Sequence, residues 1–223
     1  MRKLTTPQPL NIPEKSPLDK QAIAHESAVQ HVTGSALYID DLPAPANLKY
    51  AAIGVSEQTA GKITDINLGQ VKDAAGVADV ITAADVPGHI DIGPVFPGDP
   101  LLADGEILFN GQPVFAVLAD SNRQARQAAL QGKIQIEEQK PCLSIEKAHE
   151  QSEFVRPMHT MKRGNYTEAL EISDIRVKGT LNIGGQEHFY LEGQAAMAIY
   201  GENDNIIVYS STQHPSCLLY TSP

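Results

Sequence analysis

Apolar and polar positions along this chain fall into short blocks whose period switches between two and about three and a half, predicting strands interleaved with helices. Leu48–Val55 is an apolar run bounded by turn residues and Lys62–Ile66 alternates, so both are predicted strands, with Glu57–Gly61 as the turn between them. Leu68–Ala75 takes helical spacing, with Leu68, Val71 and Ala75 on one face and Gly76 as its stop, and Val77–Ile81 returns to strand. Ile63–Ile81 is therefore a strand–helix–strand unit. Pro113–Leu118, apolar and β-branched, opens a second unit. There Asp120 or Ser121 caps a helix in which Ala125, Ala128 and Ala129 share a face. Gly132 ends that helix, and Lys133–Glu137 alternates through Ile134 and Ile136 as a half-buried strand.

Around these units the pattern is looser. Residues 1–24 hold Pro7, Pro9, Pro13 and Pro17 among polar residues, which forbids a regular helix and predicts an extended arm. Ser35–Ile39, before Asp40-Asp41-Leu42-Pro43, is a short strand or a turn. Val86–Asp104, with four prolines and Gly88, Gly93 and Gly98, is a long loop of the kind that is functional or docked on a partner. Residues 25–140 thus form one α+β domain, large enough for its own core. A connecting region covers 141–164, with one helical turn at Ser144–Ala148. From Asn165 the chain is strand-rich: Ile175–Leu181, then Gln194–Tyr200 and Ile206–Ser211 around the turn Gly201–Asn205. That stretch of about 60 residues is too small for a good core, so 165–216 is expected to be the truncated start of a second domain.

Hydrophobic residues make up 42% of the 223 and charged residues 20%, the balance of a globular protein. The net charge is −10 and the pI about 5.1. Residues beyond 24 carry −12, because the arm sets Arg2, Lys3, Lys15 and Lys20 against Glu14 and Asp19. That balance argues against a nucleic-acid binder and against docking on anionic lipid. With no apolar run of spanning length and no secretory leader, a cytoplasmic protein is expected.

Most local signatures of chemistry are missing. No glycine-rich loop ends in Gly-Lys-Ser/Thr, no Gly-x-Gly-x-x-Gly opens a helix after a strand, and no Gly-x-Ser-x-Gly elbow occurs. The histidines (25, 31, 89, 149, 159, 188 and 214) never fall three to five apart, and two cysteines build neither an iron–sulfur site nor a four-thiolate zinc site. Cys142 beside Pro141 is read as a small buried residue. The informative string is Gly184-Gly185-Gln186-Glu187-His188-Phe189-Tyr190-Leu191-Glu192. Two glycines permit unusual backbone angles and close approach of a ligand, and the amide behind them can donate to a fixed anion or oxo group. Spacing alone favours a tight turn with a polar strand.

That string resembles the start of the molybdenum-binding region of xanthine dehydrogenases, with aldehyde oxidases as close relatives. The run His31–Pro43 is similar to the entry into that family's small hammerhead domain. Asp85-Val86-Pro87-Gly88, Asn110-Gly111-Gln112-Pro113-Val114 and Ser210-Ser211-Thr212-Gln213-His214-Pro215 resemble later landmarks, in order. The resemblance implies an α+β hammerhead domain followed by the start of a molybdopterin-binding domain. It also implies the large subunit of a molybdenum hydroxylase that converts hypoxanthine and xanthine to urate. Electrons would pass through 2Fe-2S clusters and FAD on a separate small subunit to NAD, in a hetero-oligomer that the arm and the 86–104 loop are expected to help assemble. Gln186 would lie beside the metal, hydrogen-bonding one of its oxygen ligands without being a ligand itself. Glu187, His188, Phe189, Tyr190 and Glu192 would support the turn and its strand. The family's glutamate base, substrate-binding arginine and glutamate, and Gly-Gly-Phe-Gly-type loop would lie beyond Pro223, so no residue is assigned a catalytic role and the chain alone is expected to be inactive. Cys217–Pro223 resembles a translated sequencing-library adaptor, so 217–223 is expected to be a non-native tail. Two alternatives stand: a hydroxylase of aldehydes or other N-heterocycles, and a non-catalytic hammerhead binding module.

Overall fold

A computed structural model describes residues 25–93 and 96–212. The expected arm and tail, with His214 and Cys217, lie outside the described residues. In chain order the elements are α1 (Ala28–Thr33), β1 (Tyr50–Val55), β2 (Gly61–Asn67), α2 (Gly69–Lys72), β3 (Val77–Thr82), β4 (Glu106–Ile107), β5 (Pro113–Ala119) and α3 (Asn122–Ala129). They continue with β6 (Lys133–Glu138), α4 (Ile145–Gln151), α5 (Tyr166–Glu171), β7 (Ala196–Tyr200) and β8 (Ile206–Ser210). Two compact units result: residues 25–43 with Leu191–Ser211, and Ala44–Tyr190 with Thr212. Among the described residues no helix is long and apolar enough to cross a membrane.

The larger unit contains two antiparallel three-stranded sheets, ordered β1-β5-β3 and β4-β2-β6. Both predicted strand–helix–strand units exist, but each passes from one sheet to the other, and the pairing is between units: β3 with β5 and β2 with β6. Helix α2 shows why. It is a single turn, about 6 Å long, and a parallel return in one sheet needs a crossover of about a dozen residues or more. The predicted Glu57–Gly61 turn likewise joins β1 and β2 without making them a hairpin, since they belong to different sheets.

Strand β5 is central and the most buried. Val114 and Phe115 are consecutive and both buried, at a register slip between Gly54 and Val55 on β1. With Val71, Val117, Ile107 and Ala128 they form the core, closed by Ile63, Ile66, Ile134 and Ile136 from the second sheet. Helix α3 packs by small residues, its Ala125 meeting Ala52 and Ala119. Its cap is Ser121, whose Oγ accepts from the Gln124 N–H at 3.3 Å, while Asp120 pairs with Lys49. Gly132 does not end the helix, which closes at Leu130. Its own task is spatial: a side chain there would collide with the Phe115 ring.

Two quoted motifs are structural. In Asn110–Val114, buried Gln112 accepts from the Leu108 N–H at 2.7 Å through Oε1, and Asn110 donates to the Glu57 carbonyl. In Asp85–Gly88, the Asp85 carboxylate caps a 3-10 turn at Ala83–Asp85, accepting from Thr82 N and Oγ1 at 2.8 and 2.7 Å.

The long loop is organised on Asp91. Its carboxylate accepts from the amides of Gly93 at 2.9 Å, Gly98 at 2.7 Å and Asp99 at 3.3 Å. These amides, Gly93 foremost, hold the carboxyl below its ordinary range against a smaller upward push from partial burial. A lowered folded pKa means that this contribution is whole above the unfolded value near 4 and is lost as pH falls through the folded value. Acidification below about pH 4 is therefore expected to lower the protection of the Gly93, Gly98 and Asp99 amides, measured as exchange relative to the free peptide at the same pH. Asp91→Asn, which keeps one acceptor oxygen, should show no such acid-dependent step; equal acid sensitivity in parent and variant would refute the assignment.

Beyond β6 the sequence reading needs correction. The turn at Ser144 is a two-turn helix, α4, capped by Ser144. Helix α5, capped by Asn165, stands where only strands were expected. Ile175–Leu181 alternates but forms no strand, because no described segment pairs with it. Cys142 is exposed, not buried, since no described element packs over it.

In the smaller unit, α1 ends at Gly34 (φ 73°), and residues 35–38, expected as a short strand or a turn, carry no regular structure before the 3-10 turn at Ile39–Asp41. Strands β7 and β8 pair from Ala196↔Ser210 to Tyr200↔Ile206, as the sequence predicts, around Asn203 and Asp204 at φ 57° and 60°.

Candidate functional site

The residues singled out from sequence lie in a run that carries no regular structure from 173 to 195. Gln186 is exposed and no described residue bonds its amide. Gly184 and Gly185 are not in left-handed conformations, and a side chain at either would meet nothing. The left-handed residue is Phe189, at φ 53°. That kink brings the rings of His188 and Tyr190 into a parallel stack, 5.3 Å between centroids and 5° between planes. Glu187 accepts from the His188 N–H at 3.0 Å through Oε1. These side chains thus support the run locally.

Glu192 differs from them. Its Oε1 accepts from the Ile39 N–H at 2.9 Å, tying the end of the run to the 3-10 turn of the first quoted motif. A second contact that sequence could not foresee sets the Arg156 guanidinium 3.8 Å over the Phe96 ring, joining the long loop to the segment after α4. Both pairs are remote in sequence and carry no spacing signal.

Among the described residues no three His, Cys, Asp or Glu side chains gather as metal ligands. A groove of about 700 Å³ between β1, α3 and β6, lined by Ile53, Arg126, Leu130 and Ile136, does not include Gln186. An unpaired neutral amide can donate and accept, so Gln186 fits an oxygen-bearing cofactor in its donor chemistry. The enclosing walls are not among the described residues.

Comparison with known proteins decides the family. Residues 33–140 match the family described as aldehyde oxidase and xanthine dehydrogenase, a/b hammerhead domain, and residues 147–221 match the molybdopterin cofactor-binding domain. The chain belongs to the xanthine dehydrogenase/aldehyde oxidase family. Its fold is α+β, a hammerhead domain followed by the start of the molybdopterin-binding domain. Aldehyde oxidase 1 of Oryctolagus cuniculus is 40% identical over 195 residues, covering 86% of this chain and 14% of that protein. Xanthine dehydrogenase/oxidase of Gallus gallus is 34% identical over 86% of this chain and 14% of its own length. The chain therefore spans about a seventh of these relatives. Among solved structures, the aldehyde oxidoreductase of Desulfovibrio gigas superposes with a TM-score of 0.70 at 26% identity, over 84% of this chain and 23% of that one. Quinoline 2-oxidoreductase of Pseudomonas putida 86 does so with 0.70 at 25% identity, over 87% and 27%. The family expected from the motifs stands, while its narrowing to xanthine dehydrogenases is not established, since the relatives named here include aldehyde oxidases at 40% and 37% identity and a xanthine dehydrogenase/oxidase at 34%.

Proposed function

We propose that this family member is part of a cytoplasmic molybdenum hydroxylase whose substrate is an aldehyde or an N-heterocycle other than a purine. The observation that carries this reading is the exposed amide of Gln186, without a partner among the described residues, within residues that match the cofactor-binding domain. The names of the more similar relatives and structural neighbours, aldehyde oxidases and a quinoline oxidoreductase, favour these substrates over purines. When bound, molybdopterin-held molybdenum supplies hydroxylation of an electron-poor carbon and takes up two electrons. Gln186 donates its amide N–H to an oxygen of that centre, orienting and polarising it without adding charge beside an already charged group. Electron transfer falls to 2Fe-2S and FAD groups of the assembled enzyme.

The deciding experiment measures kcat/KM of the assembled, molybdenum-containing enzyme on an aromatic aldehyde, quinoline and xanthine. Preference for the aldehyde or quinoline over xanthine by roughly tenfold or more is expected. A preference for xanthine would restore the purine reading, and no turnover of any of the three would overturn the proposal.

A further inference from the structure

The hydrogen bonds of residues 25–43 close almost entirely on themselves. The Gln30 carbonyl in α1 accepts from the amides of Ser35 at 2.9 Å and Ala36 at 3.1 Å, and the His31 ring lies 6.3 Å from that of Tyr38. Helix α1 and the 3-10 turn at Ile39–Asp41 are therefore one piece. At the start of that turn the Tyr38 amide donates to Asp41 Oδ2 at 3.0 Å. The Ile39 amide also has no acceptor within the turn, as holds for the first N–H groups of any helical turn. It donates to Glu192 Oε1 at 2.9 Å, across 153 positions of sequence. Among the described residues this is the single hydrogen bond that leaves the segment, and it does not lead to the hammerhead.

Burial points the same way. Met197 and Ile199 on β7 are half-buried, while Ala196, Ala198 and Tyr200 are exposed. A two-stranded hairpin is at best marginally stable and needs a further element on its apolar face. Strand β8 cannot supply one, since it lies beside β7 in the same sheet. The compact unit that holds the hairpin contains one other piece, residues 25–43, whose Ala36, Tyr38, Ile39 and Leu42 are half-buried.

We infer that residues 25–43 are a component of the cofactor-binding domain, received by Glu192 and the Met197/Ile199 face of β7, and that the hammerhead is inserted from Ala44 onward between two pieces of that domain. The hammerhead is thereby shortened from the expected 25–140 and from the family match at 33–140. Continuity of the chain sets His31–Pro43 ahead of β1, yet its one outgoing bond runs to Glu192. A carboxylate accepting from a part-buried amide makes one of the stronger kinds of hydrogen bond. The cofactor-binding domain is identified here by the match of residues 147–221, independently of the function proposed above.

The test uses the full 223-residue chain, isotope-labelled, and reads residue-resolved amide exchange and nuclear Overhauser contacts. Glu192→Ala is expected to speed exchange at Ile39, Asp41 and Leu42 by roughly ten- to a hundredfold. Glu192→Gln, which keeps an oxygen at the same reach, should stay close to the parent. Ile39→Pro removes the donor and leaves the turn possible, since Tyr38 is already extended (φ −99°, ψ 170°) and proline's φ suits a 3-10 turn. It should in turn loosen the β7–β8 ladder at Ala198 and Val208. Amides of β5 should keep parental exchange in every variant. Overhauser contacts are expected from the side chains of Tyr38, Ile39 and Leu42 to those of Met197 and Ile199. Parental exchange at Asp41 and Leu42 in Glu192→Ala would overturn the inference. So would loosening of β5 equal to that of 25–43, or contacts of Tyr38 and Leu42 with hammerhead strands in place of β7.

Discussion

Phe115→Ala is expected to destabilise the hammerhead by about 3–5 kcal/mol, the cost of emptying a large aromatic site in a packed core. Phe115 is 1% exposed at the centre of β5, and its ring occupies a slot that two glycines keep open. Gly54 lies opposite it on β1, and Gly132 precedes β6; a side chain on either would overlap the ring. Urea unfolding of the full chain, followed by far-ultraviolet circular dichroism, measures the loss. Gly54→Ala should also destabilise, through the clash, and Gly54→Ala with Phe115→Val should cost less than the sum of the singles because the smaller residue removes the overlap. Additive losses would show that the ring and the glycine do not share that slot.

Under the proposed function, Gln186→Ala is expected to lower kcat by roughly 10- to 100-fold, as removal of an outer partner of a metal centre typically does. Molybdenum content should be retained, because Gln186 acts through an oxygen of the centre and not as a ligand. Gln186→Glu should lose more than Gln186→Ala, since it sets a negative charge beside a charged group and replaces a donor with an acceptor. Steady-state rates with elemental analysis decide the matter. Parental kcat at full metal content would exclude Gln186 from the chemistry.

The legible part of this protein was whatever a local pattern dictates. Strands β5, β6, β7 and β8 were readable because each alternates or runs apolar between turn residues, and helix α3 because its alanines repeat on one face. The family was legible too, because its motifs are contiguous strings in a fixed order. Where the pattern misled, pairing was the cause: Ile175–Leu181 alternates like a strand, yet among the described residues it has no partner. Gly132 looked like a helix stop, and only the ring of Phe115 lying against it reveals its purpose. Gln186 was nameable from its motif, whereas the bond between the Ile39 amide and Glu192 was not.

By itself the sequence determined the order of the hammerhead's elements, the amide at Gln186 and the family, since all three depend on neighbours along the chain. The tertiary structure alone decided that the two strand–helix–strand units exchange strands between two sheets, that Gly54 and Gly132 serve Phe115, and that Glu192 answers the amide of Ile39. Sheet partners, ring slots and remote hydrogen bonds are settled by which surfaces meet, and residues 153 positions apart leave no periodic trace of meeting.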